Sequence, residues 1–94
     1  MVFVWDELKN RTNQRKHDVA FETAAIAFHD PGAISYPDRF VDGEERWHLV
    51  GIVGSMTLLL VVHTIRDEHG EEAIRIISAR KANRRERALY DTAV

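Results

Sequence analysis

The chain has 94 residues, no cysteine, and 13 basic against 15 acidic side chains, for a formal net charge of -2. That length supports one small domain, residues 1–94, with a modest core; the absence of thiols excludes disulfides, a thiol nucleophile, a zinc–thiolate site and an iron–sulfur centre, as suits a reducing compartment. The longest apolar run, residues 58–62, is too short to cross a membrane, and charge follows the first few apolar residues too closely for a signal peptide, so a soluble cytoplasmic protein is expected.

Residues 2–5 (VFVW) read as a short strand, and Asp6 as the N-cap of a helix running to about residue 16, because Asp accepts from free first-turn amides. Lys16 and His17 fall in its last turn, where cations suit the helix dipole. Asp18 ends this helix. Phe21, Ala24, Ala25 and Phe28 are spaced i, i+3, i+4, i+7, which predicts a helix over 21–29 lying apolar side down on a sheet. Asp30-Pro31-Gly32 stops it. Residues 33–36 read as an edge strand followed by an acidic polar loop over 37–45. Residues 46–53 and 56–64 are strands joined at Gly54-Ser55, and the second, apolar on both faces, is the expected central strand. A second hairpin loop covers 66–72, with His69-Gly70 at its tip. Then Ile74, Ile76 and Ser78 alternate with Arg75, Ile77 and Ala79, and Asn83 with Glu86 has the form of a capping box opening a helix to about residue 91. The layout is β-α-α-β-β-β-β-α: an α+β domain with a mainly antiparallel, twisted sheet and helices largely on one face.

Charge is segregated along this layout. Lys9, Arg11, Arg15 and Lys16 stand without an acid between them, and six basic residues between Arg75 and Arg87 face only Glu86, whereas eleven acids oppose three arginines over residues 18–72. If the first helix meets the last strand–helix junction, the result is a basic patch on an acidic body, suited to phosphates. Arg75 is singular, since a charge inside an apolar strand needs an exposed face, a partner or a ligand. The five histidines, at 17, 29, 48, 63 and 69, lack metal-ligand spacing, so no metal is expected. Ser78 has no nucleophile-elbow context. What remains is cleavage of an RNA phosphodiester, which supplies its own 2′-hydroxyl nucleophile and needs only a base, an acid and cations. Arg75 and Arg80 are the candidate clamps. Lys16, His17, His63 and Glu45 are the candidate proton carriers, with no ranking among them.

The residues also resemble a known family. Phe3-Val4-Trp5-Asp6 with Lys9 and Asn13, Lys16-His17 with Val19 and Phe21, Gly43-Glu44-Glu45-Arg46, Val61-Val62-His63-Thr64, and Arg75-Ile76-Ile77-Ser78-Ala79-Arg80-Lys81-Ala82 with Arg85-Glu86-Arg87 and Tyr90 form, in that order, a set similar to the BrnT toxins. The chain departs from that pattern at Asp18, usually Gly, and at Ala20, often a Ser or Thr cap. The resemblance implies a RelE-like fold and a metal-independent, cofactor-free endoribonuclease that inhibits translation. It further implies a BrnA-like ribbon-helix-helix antitoxin, a toxin–antitoxin heterotetramer, and operator DNA reached only through the antitoxin. Tyr90 joins the expected catalytic set, and Lys9, Lys81, Arg84 and Arg85 the RNA contacts. Two other readings are a non-catalytic co-repressor module that keeps only the antitoxin surface, and a plain nucleic-acid-binding domain.

Overall fold

A computed structural model describes residues 1–93 and, at Glu68, the backbone alone. Its elements are β1 (Val2–Val4), α1 (Glu7–His17), α2 (Phe21–Ile26) running into a 3₁₀ turn (Ala27–His29), β2 (Ile34–Val41), β3 (Glu44–Val53), β4 (Thr57–Glu68), β5 (Glu71–Lys81) and α3 (Arg84–Thr92). The five strands form one sheet in the order β1-β5-β4-β3-β2. All neighbours are antiparallel except β1, which lies parallel to residues 73–75 of β5. The doubly apolar β4 occupies the centre, as its composition predicts.

Two of the expected loops are strand instead. Glu44 pairs with Val41 and Glu71 with Glu68, leaving Asp42-Gly43 and His69-Gly70 as two-residue turns in which all four residues have positive φ. These are the residue types that tight antiparallel hairpins demand. The acidic stretch over 37–45 is therefore the continuation of an edge hairpin, with an irregular register between Pro37 and Phe40; an edge strand tolerates proline because its outer N–H has no ladder partner to lose. At the β3–β4 turn, Met56 lies outside the strand and is 81% exposed.

The helix ends follow local chemistry. Asp6 Oδ1 accepts from the amides of Leu8 and Lys9, and Asp18 takes the left-handed conformation (φ 58°) that closes α1, which Asp adopts more readily than most residues. Ala20 supplies no side-chain cap to α2. Asn10 Oδ1 replaces it, accepting the Phe21 amide at 2.8 Å.

Alternation along β3 and β4 produces two apolar clusters. Leu49, Val53, Leu59 and Val61 pack with Ile74, Ile76, Ala79 and the α2 residues Phe21 and Ala24. On the other side, Val50, Leu58 and Leu60 pack with Ile34, Tyr36, Val62 and Tyr90 of α3. Helical cover thus lies largely on the α2 face, and α3 alone covers the other side, because β4 is apolar on both sides and each side needs cover. α3 is short and shields only one end of its face.

A β-bulge decides what the open remainder displays. Val62 pairs with Ser78 but His63 with Ile76, so Ile77 has no partner on β4. Arg75 and Arg80 are five residues apart and would lie on opposite faces of a regular strand; the extra residue shifts the phase and brings Arg75, Ser78 and Arg80 to the same face. Ala79 accordingly joins Ile74 and Ile76 in the core, where strict alternation would have placed Ser78.

Candidate nucleic-acid interface

The open face is read row by row from the strand register. Tyr36, His48, Val62 and Ser78 form one transverse row. One row nearer α3 stand Ile34, Val50, Leu60 and Arg80; on the other side Thr64 pairs with Arg75. By the same alternation Glu44 and Arg46 of β3 share this face with His48, and Arg66 of β4 shares it with Thr64.

Arg66 Nε donates to Glu44 Oε2 at 2.6 Å. That bond holds the Glu44 carboxyl below the usual carboxylate range, with the nearby charges of Arg75 and Arg46 adding to it and burial only partly opposing. Arg75 is half-buried and makes no hydrogen bond or ion pair among the described residues. Thr64, its cross-strand neighbour, is fully buried, and its Oγ1 has no hydrogen-bond partner among the described residues. Two arginines and an ionised carboxylate thus surround a strand position with an unused buried hydroxyl. Such an arrangement can hold an anionic phosphate and accept a proton beside it.

Arg80 is differently placed. Its Nη1 and Nη2 donate to the two carboxylate oxygens of Glu86, each at 2.8 Å. Glu86 also accepts the Asn83 amide, and Asn83 accepts the Glu86 amide, completing the predicted capping box. Burial pushes the Glu86 carboxyl up, but Arg80 and the Asn83 N–H outweigh it and the net direction is down; the Arg80 guanidinium is pushed up chiefly by its bonds to Glu86. Arg80 therefore anchors α3 to β5 with its charge already matched.

The remaining predicted residues fall into three places. Lys9, Lys16 and His17 line a groove of about 310 Å³ between α1 and β5, shared with Ile77 and Ser78, so the first helix and the last strand do come together. Lys81 and Arg84 are exposed around the start of α3, and Arg85 borders a second pocket with Tyr36 and His48. His63, Glu45 and Tyr90 lie away from the arginines. His63 is 2% exposed, packed against Phe28 with ring centroids 4.8 Å apart, and its Nδ1 lies 3.1 Å from the Val61 carbonyl; a buried strand position facing the 3₁₀ turn cannot reach a polymer. Glu45, opposite Phe40, points to the face away from Arg46 because it is one residue out of phase. Tyr90 Oη donates to Asp30 Oδ2 at 2.7 Å and ties α3 to the loop before β2; that bond, with burial adding to it, raises its pKa and makes it a poor proton carrier.

Glu44, Arg46, Tyr36 and His48 are not among the site residues expected from sequence, although Glu44 and Arg46 lie in one of the family motifs. The signal was present in Asp42-Gly43, since a two-residue turn there starts β3 at Glu44 and sets 44, 46 and 48 on one face. Among the described residues no group of three His, Asp or Glu side chains is arranged to hold a metal ion, and no helix is long and apolar enough to cross a membrane.

A family model described as "Ribonuclease toxin, BrnT, of type II toxin-antitoxin system" matches residues 5–86. Among solved structures, the chain is similar to the crystal structure of the Brucella abortus ribonuclease toxin, BrnT, at 25% identity and a TM-score of 0.65, over 89% of this chain and 100% of that one. No curated protein matches.

Proposed function

The chain belongs to the BrnT family of ribonuclease toxins of type II toxin–antitoxin systems, and from that premise we propose that it is a metal-independent RNA endonuclease whose active surface is the open face of the sheet. Arg75 and Arg46 hold the scissile phosphate and take up the charge that grows on its oxygens. The Glu44 carboxylate accepts the proton of the attacking 2′-hydroxyl, a cyclic phosphate forms, and the departing 5′-oxygen takes its proton from solvent. A carboxylate held low by arginine is a weak base, but it is in the accepting state throughout the neutral range. Lys9, Lys16 and His17 extend the cationic track beyond Ser78, while Lys81, Arg84 and Arg85 extend it towards α3. The observation that supports this reading most is the juxtaposition of Arg75, which has no hydrogen bond or ion pair among the described residues, with the unpartnered Thr64 hydroxyl and the Glu44 carboxylate.

The same reading includes a RelE-like fold, a cytoplasmic setting, inhibition of translation, and neutralisation by a BrnA-like ribbon-helix-helix antitoxin in a heterotetramer that alone meets operator DNA. The test is to incubate the chain, freed of antitoxin, with long single-stranded RNA in EDTA beside Arg75→Ala and Glu44→Gln. Wild type should leave 2′,3′-cyclic phosphate ends, and each variant should lose on the order of 10²-fold or more in rate while remaining folded. The co-repressor alternative draws on one feature, the neutralisation of Arg80 by Glu86. It requires that neither free RNA nor RNA on translating ribosomes be cut.

A further inference from the structure

Beside the arginines lies a pocket that the chemistry above does not use. It has a volume of about 330 Å³ and is walled by Tyr36, Pro37, Asp38, His48, Arg85 and Leu89, a size at the lower end of small-molecule sites. Tyr36 and His48 are cross-strand partners whose rings meet edge to face, with centroids 5.3 Å apart. The aromatic wall is therefore held by the sheet. Pro37 and Leu89 supply apolar surface on either side.

The polar groups of the pocket are complementary to one kind of heterocycle. Glu86 also borders it but is spent, since Arg80 and the Asn83 amide occupy both of its oxygens. Asp38 is not spent: its Oδ2 lies 3.4 Å from His48 Nε2 and 3.6 Å from Arg39 Nε, and its Oδ1 has no partner among the described residues. A carboxylate only accepts, so it selects a ring edge that donates. Arg85 only donates, so it selects an edge that accepts. Guanine carries both in adjacent positions: N1–H and N2–H₂ donate together, while O6 and N7 form the acceptor pair that arginine meets in bidentate fashion. Adenine, cytosine and uracil each lack one of these pairs. Stacking on an aromatic side chain with hydrogen bonds to base edges is the usual way a protein reads unpaired RNA.

We propose that this pocket is a guanine subsite, which rests on the RNA reading above and adds to it a preference for G next to the cut. The position suits that role, because His48 lies two strands across and one row along from Arg75 on the same face, about 12 Å away at ordinary strand spacing and rise.

The test separates the pocket from the cleavage chemistry. Amide chemical shifts of the full chain are followed while GMP, AMP, CMP, UMP or inorganic phosphate is added. GMP should move the amides of Tyr36, His48 and Leu89 and bind at least tenfold tighter than the other three nucleotides, with inorganic phosphate moving only the residues around Arg75. Asp38→Asn, at a side chain that is one-third exposed and needs no refolding, should remove the preference for GMP and leave the phosphate response intact. Equal binding of the four nucleotides, shifts confined to the arginines, or a preference that survives Asp38→Asn overturns the proposal. RNA cleavage without GMP binding would sink the subsite and leave the ribonuclease standing; GMP binding without cleavage would do the reverse.

Discussion

His63 shows how burial, and not residue type, assigns a role. Burial is the main cause lowering its pKa from the ordinary 6.5, neighbouring His48 adds to it, and the Val61 carbonyl only partly opposes. The folded state therefore refuses a proton that the unfolded chain accepts. This contribution to stability is complete above about pH 6.5 and is lost as pH falls towards the folded value. Asp30, Glu44 and Glu86 are also held low, so a second loss follows nearer the ordinary carboxylate range. The melting temperature should fall in two stages on acidification, and His63→Gln should abolish the first. Thermal melts over a pH series decide it: a variant that keeps the upper stage would mean that His63 is not the group responsible.

At the level of elements, α1 substitutes for a missing strand. β1 pairs with only three residues of β5, and Asn13 closes the edge beyond them: its Nδ2 donates to the Ala79 carbonyl at 2.8 Å, and its Oδ1 accepts the Ala79 amide at 3.1 Å. The same Nδ2 also donates to the Val19 carbonyl. Asn13→Ala should cost about 2–3 kcal/mol, since it strands buried backbone groups. Denaturant melts give the cost, and faster hydrogen exchange at the Ala79 amide would locate it. Gly51 is a second element-level contact, where β3 passes under the 3₁₀ turn so closely that a Cβ would sit 2.6 Å from the Ala27 carbonyl oxygen. Gly51→Ala should destabilise by about 1–3 kcal/mol; an unchanged denaturation midpoint would show that the turn can lift away.

Over the whole molecule, the net charge of -2 conceals a cationic face. Arg46 and Arg75 share the open side of the sheet with Arg80, and Lys9 and Lys16 lie around the β5 edge. On the ribonuclease reading proposed above, this face should bind single-stranded RNA with a steep salt dependence, about 0.7 in log–log slope for each phosphate neutralised. Arg75→Ala and Arg46→Ala should each flatten that slope by about 0.7, whereas Arg80→Ala should change it less because Glu86 already matches its charge. Binding measured by fluorescence anisotropy across a salt series tests this ordering. An Arg80 effect equal to that of Arg75 would show that the ion pair opens for RNA.

The sequence by itself determined the α+β class, the caps at Asp6 and Asn83, the central position of β4, the tip of the last hairpin and the family. Each follows from neighbours within a few residues or from an ordered set of motifs, and local chemistry suffices for both. The extent of β2 was legible too, in Asp42-Gly43, but that signal was outweighed by the acidic composition around it. Only the tertiary structure decided which side chains share a face. The bulge at Ile77 arises where β5 meets β4, and without it Arg75 and Arg80 would stand on opposite sides of the sheet. Glu44 and Glu45 are adjacent in sequence and similar in chemistry, yet strand phase sends one to the arginines and the other away. Sequence favoured His63 over His48 as a proton carrier, but packing buried His63 against Phe28 and left His48 beside Tyr36. Strand pairing acts across residues far apart in the chain, so the face a side chain occupies is a property of the assembled sheet.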